Sequence, residues 1–240
     1  MKLALIADLH GNYTATLALE KALSAIDDID KLICLGDIVG KGPSSHLTFD
    51  WAFKHCDNII AGNWDIGLSS KRFPNDGFYW KQIGEERLQK LAMLPLEYRF
   101  EYAGVRIRCI HGRPIMPKLL PSDSPNEEFE KLFTADGKNF NILVYADSHR
   151  QLLRTTSCGH VINTGSVGNA LGLARLSFAI LDIADDGSYT VSFHSAPYDK
   201  QSAAMETDAY PDMPFKEEYL QELFIGRYAR KHSSKSKSIL

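Results

Sequence analysis

Three short apolar runs near the start of the chain, each followed at once by polar residues, constrain the fold more than any other feature. The runs cover residues 3–7, 31–35 and 58–61. Runs of Val, Ile, Leu and Ala bounded by turn residues are typical of strands buried in a parallel sheet. The polar residues that follow the runs are Asp8, His10, Asp37, Asn63 and Asp65. Because the carboxyl ends of parallel strands meet at one edge of a sheet, we expect these side chains to lie close together.

The segments between these runs predict helices. After Asn12, which is a good N-cap residue, the apolar residues recur with the helical period as far as Ile26, and a second helix is expected over residues 44–54. Strand, helix, strand, helix and strand in succession imply right-handed crossovers and parallel pairing. Residues 66–76 are polar and contain Ser and Pro, which predicts a surface loop, and residues 78–91 predict another helix.

The second half of the chain has mostly the pattern of β-structure. A hairpin is expected over residues 97–110, and its second strand ends in His111. A strand over residues 140–145 ends in Asp147 and His149, and alternating apolar residues further on predict two more pairs of strands. The sequence therefore predicts an α/β fold in which helices flank two packed sheets.

Composition and charge exclude several classes of protein. The chain has 240 residues, of which 44% are hydrophobic and 24% charged, and a net charge of −3 argues against a nucleic-acid partner. The four cysteines form no Cys-x-x-Cys pair, so we expect reduced thiols in a cytoplasmic protein, and no apolar run is long enough for a membrane span. We expect a single domain over residues 1–225 and a basic, Ser- and Lys-rich tail over residues 226–240. The sequence allows a homo-oligomer.

The polar clusters follow one another in a specific order. Asp-x-His at residues 8–10 is followed by Gly-Asp-x-x-Gly at 36–40, Gly-Asn-x-Asp at 62–65, His-Gly at 111–112 and Asp-x-His at 147–149. In this order the motifs resemble those of the calcineurin-like metallophosphoesterase superfamily, in particular its bacterial and archaeal phosphodiesterase branch, which includes diadenosine-tetraphosphatase-like members. The resemblance implies a four-layer α/β/β/α sandwich of two mixed β-sheets flanked by helices.

The same resemblance implies a centre with two divalent metal ions. Sorted by ion, the implied ligands are Asp8, His10 and His149 for the first, Asn63, His111 and Asp147 for the second, and Asp37 for both. Two ions roughly 3.5–4 Å apart can hold a bridging hydroxide and clamp phosphate oxygens. Carboxylates with imidazoles suit Mn, Fe, Ni or Zn more than Ca. Mn²⁺ is the expected metal, with Fe, Ni or Zn as alternatives. The implied activity is hydrolysis of phosphodiester or nucleotide phosphoanhydride bonds, with Asp37, Asn63 and Asp65 as catalytic residues.

Two positions depart from the superfamily pattern. Trp64 stands where a histidine, held by the acid that follows it, usually assists the leaving oxygen. Indole cannot deliver a proton, so poor leaving groups should suffer most. Asp147 replaces another histidine, which makes the side of the second ion more negative and should favour Mn²⁺ there. The two changes leave open a catalytically weakened member that binds metal or another protein.

Three residues are candidates for substrate binding. Lys41 and Arg113 adjoin ligand positions in the sequence and could donate charge-assisted hydrogen bonds to phosphate, although exposed loop charges are the slightly more common explanation for such residues. Trp64 could stack on a base, cover the site or only pack. The expected partner is a phosphoester or nucleotide substrate.

Overall fold

The structure, a computed structural model, describes residues 1–229, so the predicted basic tail lies outside the described residues from position 230 onward. The strands in this part of the chain are β1 (Lys2–Ile6), β2 (Lys31–Cys34), β3 (Asn58–Ile59), β4 (Glu97–Tyr102), β5 (Val105–Ile110), β6 (Thr134–Ala135), β7 (Lys138–Asn139), β8 (Ile142–Tyr145), β9 (Gln151–Thr155), β10 (His160–Thr164), β11 (Leu176–Ile183) and β12 (Tyr189–Ala196). The α-helices are α1 (Tyr13–Leu23), α2 (Ser45–His55), α3 (Asn63–Ser69), α4 (Gly77–Ile83), α5 (Glu85–Ala92), α6 (Asn126–Glu130), α7 (Lys200–Asp208) and α8 (Lys216–Ile225). None of the helices in residues 1–229 has the length and apolar character that a membrane crossing requires.

Two mixed, five-stranded sheets form the body of the described chain. The first has the order β12-β11-β1-β2-β3, in which β1, β2 and β3 are parallel while β11 and β12 are antiparallel to their neighbours. The second has the order β4-β5-β8-β10-β9, with β5, β8 and β10 parallel and an antiparallel strand at each edge. Strand β1 is therefore central in the first sheet, and β8 is central in the second.

The alternation of side chains along β1 explains how the layers stack. Leu3 and Leu5 belong to a buried cluster with Ile107 and Val144 of the second sheet, so this cluster fills the space between the sheets. The intervening residues of β1 pack instead with α1 and α2, and a third cluster joins the second sheet to α6. The predicted four-layer α/β/β/α sandwich is confirmed.

The predicted surface loop over residues 66–76 is wrong, because most of it is helical. Helix α3 continues to Ser69, and a short 3-10 helix covers Pro74–Asp76. The Asp65 carboxylate accepts a hydrogen bond from the backbone N–H of Gly62 at 2.9 Å and so stabilises the start of α3. Leu68 is fully buried, which anchors the helix on the core.

Candidate metal centre

The predicted ligands follow strands of both sheets, at the edge where the carboxyl ends of β1, β2, β5 and β8 lie. By element, they are Asp8 and His10 after β1, Asp37 after β2, Asn63 at the start of α3, His111 after β5, and Asp147 and His149 after β8. All except the half-buried Asn63 have 6% or less of their surface exposed. The central strand of each sheet therefore supplies an Asp-x-His pair to this edge.

The backbone at these turns is strained. The residues with positive φ are Asp8 (+55°), His10 (+46°), Asp37 (+52°), Asp147 (+63°) and His149 (+57°). Residues with a Cβ atom avoid this left-handed region at a cost of roughly 1–2 kcal/mol each. Backbone hydrogen bonds hold the first turn, since the N–H groups of Asp8 and His10 donate to the carbonyls of Gly36 (2.9 Å) and Asp37 (3.0 Å). Strain of this kind collects where side chains must converge on one point.

Each of the three histidines uses Nδ1 for a backbone carbonyl and turns Nε2 toward the other ligands. Nδ1 of His111 lies 2.6 Å from the carbonyl oxygen of Leu35, and Nδ1 of His149 lies 2.6 Å from that of Asn169. Nδ1 of His10 lies 3.4 Å from the carbonyl oxygen of Val39. A carbonyl partner on one ring nitrogen orients the ring and leaves the other nitrogen for a metal.

One group of donor atoms consists of Asp8, His10 and His149. Oδ1 of Asp8 lies 3.6 Å from Nε2 of His10 and 3.4 Å from Nε2 of His149, and the two nitrogens are 3.2 Å apart. Ligands about 2.1 Å from a tetrahedral ion are roughly 3.4 Å from one another. The three atoms therefore have the spacing of a metal site.

A second group of donors consists of Asp8, Asp37 and His111. Nε2 of His111 lies 3.9 Å from Oδ1 of Asp8 and 3.4 Å from Oδ2 of Asp37. The same Asp37 oxygen lies 3.5 Å from Nε2 of His10. Asp8 and Asp37 thus both lie between the two sides of the centre, whereas the sequence pattern assigned the bridging position to Asp37 alone.

Several buried donor atoms of the centre have no hydrogen-bond partner among the described residues. They are both carboxylate oxygens of Asp8, Oδ1 of Asn63 and Nε2 of His111. An orphaned buried polar atom costs about 1–3 kcal/mol, so native proteins leave few of them. Atoms that can all donate a lone pair fit a divalent cation. The chain neighbours of Asn63, Gly62 and Trp64, lie against Asp37.

Burial and neighbouring charge shift the pKa values of the ligands. Burial raises the pKa of Asp8 well above its usual value. Burial, followed by the Lys41 ammonium, lowers the pKa of His10 and His149, so both imidazoles are neutral and able to ligate. For His111, burial lowers the pKa, but the carboxylates around it outweigh burial and raise the pKa well above the usual value. A cation would have to displace the proton on His111.

Lys41 faces the centre and is not an exposed loop charge. Only 6% of its surface is exposed, and its φ is +56°. Its Nζ atom lies 3.3 Å from Nε2 of His149 and donates to Oδ1 of Asn169 at 3.2 Å. A buried ammonium beside a ligand of the first group is placed where it can meet an anion that enters the site.

Arg113 contacts Asp147, so the structure offers Asp147 a role other than that of a metal ligand. Nε and Nη2 of Arg113 donate to the two carboxylate oxygens of Asp147 at 2.8 and 2.6 Å. Burial raises the pKa of Asp147, but the hydrogen bonds from Arg113 and the charge of His111 outweigh it and hold the pKa below its usual value. Asp147 belongs to neither donor group.

Asp65 contacts the backbone of the turn that carries Asp37. Its carboxylate accepts hydrogen bonds from the backbone N–H groups of Asp37 (2.7 Å), Ile38 (3.0 Å) and Gly62 (2.9 Å). Burial and the charge of Asp37 raise the pKa of Asp65 to about 7. These contacts hold the turn that carries Asp37, and the catalytic role that the resemblance implies for Asp65 stays a prediction.

Trp64 packs between the centre and the helices. Its ring lies edge-on to His10, with 5.9 Å between centroids, and edge-on to Tyr79 at 6.1 Å. A Cβ atom at Gly40 would lie 2.3 Å from Cε3 of Trp64, so only glycine allows this approach. The backbone N–H of Trp64 also donates to Oδ1 of Asp37 at 2.8 Å. Of the three roles left open for Trp64, packing is the one these contacts support.

Two residues of this network were missed at the sequence level. Asn169 receives the Lys41 hydrogen bond, offers its carbonyl to His149 and donates through Nδ2 to Oε2 of Glu222 at 3.0 Å. Glu222 lies on α8 and is 1% exposed. An Asn after a glycine-rich turn and a Glu on a surface-patterned helix carry no local signal for this role.

The fold and the centre together define an α/β/β/α domain with buried carboxylate and imidazole groups that can hold metal. Residues 1–186 match the family model described as the calcineurin-like phosphoesterase superfamily domain. The chain therefore belongs to the calcineurin-like phosphoesterase superfamily, which confirms the resemblance seen in the motifs.

Similar proteins come from archaea and bacteria. An uncharacterised protein of Methanocaldococcus jannaschii is 27% identical over 261 residues, covering 94% of this chain and 98% of that protein. The crystal structure of a hypothetical protein from Pyrococcus horikoshii has a TM-score of 0.78 at 23% identity, covering 95% of this chain and 99% of that one. A metallophosphoesterase from Sphaerobacter thermophilus has a TM-score of 0.73 at 22% identity, covering 94% and 99%. Both solved structures share the fold.

Proposed function

We propose that this protein is a metal-dependent phosphohydrolase that cleaves phosphodiester or nucleotide phosphoanhydride bonds. The observation that carries the proposal is the pair of buried donor groups that share Asp8, with facing atoms 3.2–3.9 Å apart. Membership of the superfamily supports it. The mixture of carboxylate and imidazole donors fits Mn²⁺, Fe, Ni or Zn, and we take Mn²⁺ as the metal to test first.

The side chains of the centre have separate tasks in this proposal. Asp8, Asp37, Asn63 and the three histidines would hold divalent ions, which when bound supply Lewis acidity toward phosphate oxygens and make water a stronger nucleophile. Lys41 would donate a charge-assisted hydrogen bond to a phosphate oxygen. Asp65 holds the Asp37 turn through backbone N–H groups, which keeps the carboxylate of Asp37 aimed at the centre.

A cleft of about 320 Å³ is lined by His149 but by none of the other candidate ligands, and we propose that the substrate extends from the centre into it. This volume lies at the lower end of the range for small-molecule sites, roughly 300–1,000 Å³. Arg150 and Arg175 line the cleft, so it favours an anionic substrate, and the exposed side chain of Leu173 offers an apolar surface for a base or aryl group. A nucleotide combines both properties.

The nature of Trp64 points to the same class of substrate. With no proton donor at this position, the leaving group departs without acid assistance. Leaving groups that are stable anions, such as nucleotides and nitrophenolate, suffer least from this loss. The proposed enzyme should therefore prefer them to simple alkoxides.

The test of the proposal is turnover by the purified protein. With Mn²⁺ we expect hydrolysis of bis(4-nitrophenyl) phosphate and of dinucleoside polyphosphates, and Asp37→Ala should reduce the rate to background. Asp212→Ala is the matched control, since Asp212 is exposed and lies far along the sequence from the candidate ligands. If no phosphoester or nucleotide is hydrolysed with any of the four metals, the proposal fails in favour of a metal-binding or protein-interaction role.

A further inference from the structure

On the side of the centre that the resemblance assigns to the second ion, Arg113 binds the carboxylate of Asp147. Asp147 accepts three N–H groups from Arg113: Nε at 2.8 Å, Nη2 at 2.6 Å and the backbone N–H at 3.2 Å. Both carboxylate oxygens take part in this contact. A bidentate pair of this kind has planar, matched geometry, so it is stronger than a single charged hydrogen bond.

The position of the Asp147 side chain is also set by the backbone beside it. A Cβ atom added to Gly112 would lie 2.8 Å from Cβ and 2.9 Å from Oδ2 of Asp147, so the carboxylate is packed against the glycine. The side chain of Asp147 is 2% exposed and that of Arg113 is 20% exposed. Asp147 would have to leave both neighbours before it could turn to an ion.

The charges around the centre also argue against a second tightly bound ion. Asp8 and Asp37 are the carboxylates in the two donor groups, and one divalent ion balances their two negative charges. Asp147 is the other acidic ligand that the resemblance implies, and the guanidinium of Arg113 already balances its charge. A second divalent ion would therefore find no further carboxylate to offset its charge.

We infer that the protein holds one divalent ion tightly, on Asp8, His10 and His149, and that Arg113 takes the place of a second tight ion by binding Asp147. The side formed by Asp37, Asn63 and His111 then binds a second ion at least tenfold more weakly. This inference rests on the metal site of the proposed function, and it concerns the number of ions and not the reaction.

The experiment is calorimetric titration of the chelator-treated protein with Mn²⁺, with electron paramagnetic resonance of the same samples. The wild-type protein should bind one Mn²⁺ tightly and a second at least tenfold more weakly, with the spectrum of an isolated ion at one equivalent. Arg113→Ala should free Asp147 as a ligand, so the second ion should bind at least tenfold more tightly and the spectrum at two equivalents should show exchange coupling. The tight step should keep its affinity.

Two further variants complete the design. Arg106→Ala removes an exposed arginine of β5 and should leave both steps unchanged. Arg113→Gln repeats the main test with a shorter, uncharged polar side chain. Two ions of equal affinity in the wild-type protein, or no change in the second step on loss of Arg113, would overturn the inference while leaving the proposed function standing. Absence of any tight Mn²⁺ would overturn both.

Discussion

Trp64 lies edge-on to His10, with 5.9 Å between ring centroids, at the position where the superfamily pattern has a histidine. The carboxylate of Asp65, which would hold such a histidine, instead accepts hydrogen bonds from backbone N–H groups of the Asp37 turn. The indole of Trp64 therefore has no proton to pass to a leaving oxygen. The rate of the proposed reaction should depend on how stable the leaving group is by itself.

Replacing Trp64 by histidine should flatten the dependence of rate on leaving-group pKa. General acid catalysis is worth typically 10²–10⁴-fold, and an imidazole without a carboxylate partner should recover roughly 10- to 100-fold of it for alkyl esters. Nitrophenyl esters should react about as fast as before. The measurement is kcat/KM over a series of aryl and alkyl phosphodiesters. Trp64→Phe is the control and should stay steep, and equal slopes in the two variants would contradict the explanation.

The types of ligand can be predicted from the sequence, but two of their contacts cannot. Asp8 and Asp37 end apolar runs, so local pattern places them at a sheet edge. The pair formed by Arg113 and Asp147 spans 34 positions and depends on packing against Gly112. The burial of Lys41 depends on Asn169, 128 positions further along the chain. Contacts of this length are determined by tertiary structure, on which local propensity carries no information.

At the scale of elements, the strands of the first half are predictable and their complete order is not. Strands β1 and β2 are continuous apolar runs, and their parallel pairing follows from the helix between them. Strand β11 lies antiparallel beside β1 on its other side, a pairing in which Leu5 faces Ala179. The short connections along the chain do not predict that β11 pairs with β1. Helix α3 was missed because its short sequence contains Gly, Asn and Ser, which are more typical of loops.

Helix α8 lies outside residues 1–186, the part that matches the family model, and yet it is connected to the centre. Oε2 of Glu222 accepts from Asn169, and Oε1 accepts from the backbone N–H of Ala229 at 3.1 Å. Asn169 in turn holds the ring of His149 at 2.6 Å and the ammonium of Lys41 at 3.2 Å. The carboxyl-terminal helix thus helps to position a candidate ligand and a candidate substrate-binding residue.

Substitution of Glu222 by alanine should weaken both the fold and metal binding. The change leaves the buried Nδ2 of Asn169 and the half-buried backbone N–H of Ala229 without an acceptor, so the free energy of unfolding should fall by about 1–3 kcal/mol. The affinity for Mn²⁺ should fall as well, because His149 loses part of its support. Glu217→Ala on the exposed face of α8 should stay within about 0.5 kcal/mol of wild type. The measurements are urea unfolding and Mn²⁺ titration. Glu222→Gln keeps one acceptor, so its stability and its affinity for Mn²⁺ should lie between those of Glu222→Ala and wild type.

At the scale of the whole molecule, the centre joins the two sheets. Asp8 and His10 follow the central strand of one sheet, and Asp147 and His149 follow the central strand of the other. The centre also concentrates backbone strain and buried polar atoms without partners. Both features destabilise the protein when no cation is bound, so metal binding and folding should be strongly coupled.

Removal of metal should therefore lower the thermal stability of the whole domain. A ligand at 100 times its Kd stabilises a protein by about 2.7 kcal/mol, which for a chain of this size corresponds to a rise in Tm of roughly 5–10 °C. The rise should grow with pH, since the raised pKa values of Asp8 and His111 mean that both must lose protons when the cation binds. Melting curves with Mn²⁺ and with chelator, at pH 6 and pH 8, measure both effects.

Asp8→Asn should abolish the response to Mn²⁺ and, by removing a buried carboxylate that has no hydrogen-bond partner, should make the chelated protein more stable than chelated wild type. A chelated variant less stable than chelated wild type would show that Asp8 is held in place for the fold and not for a cation.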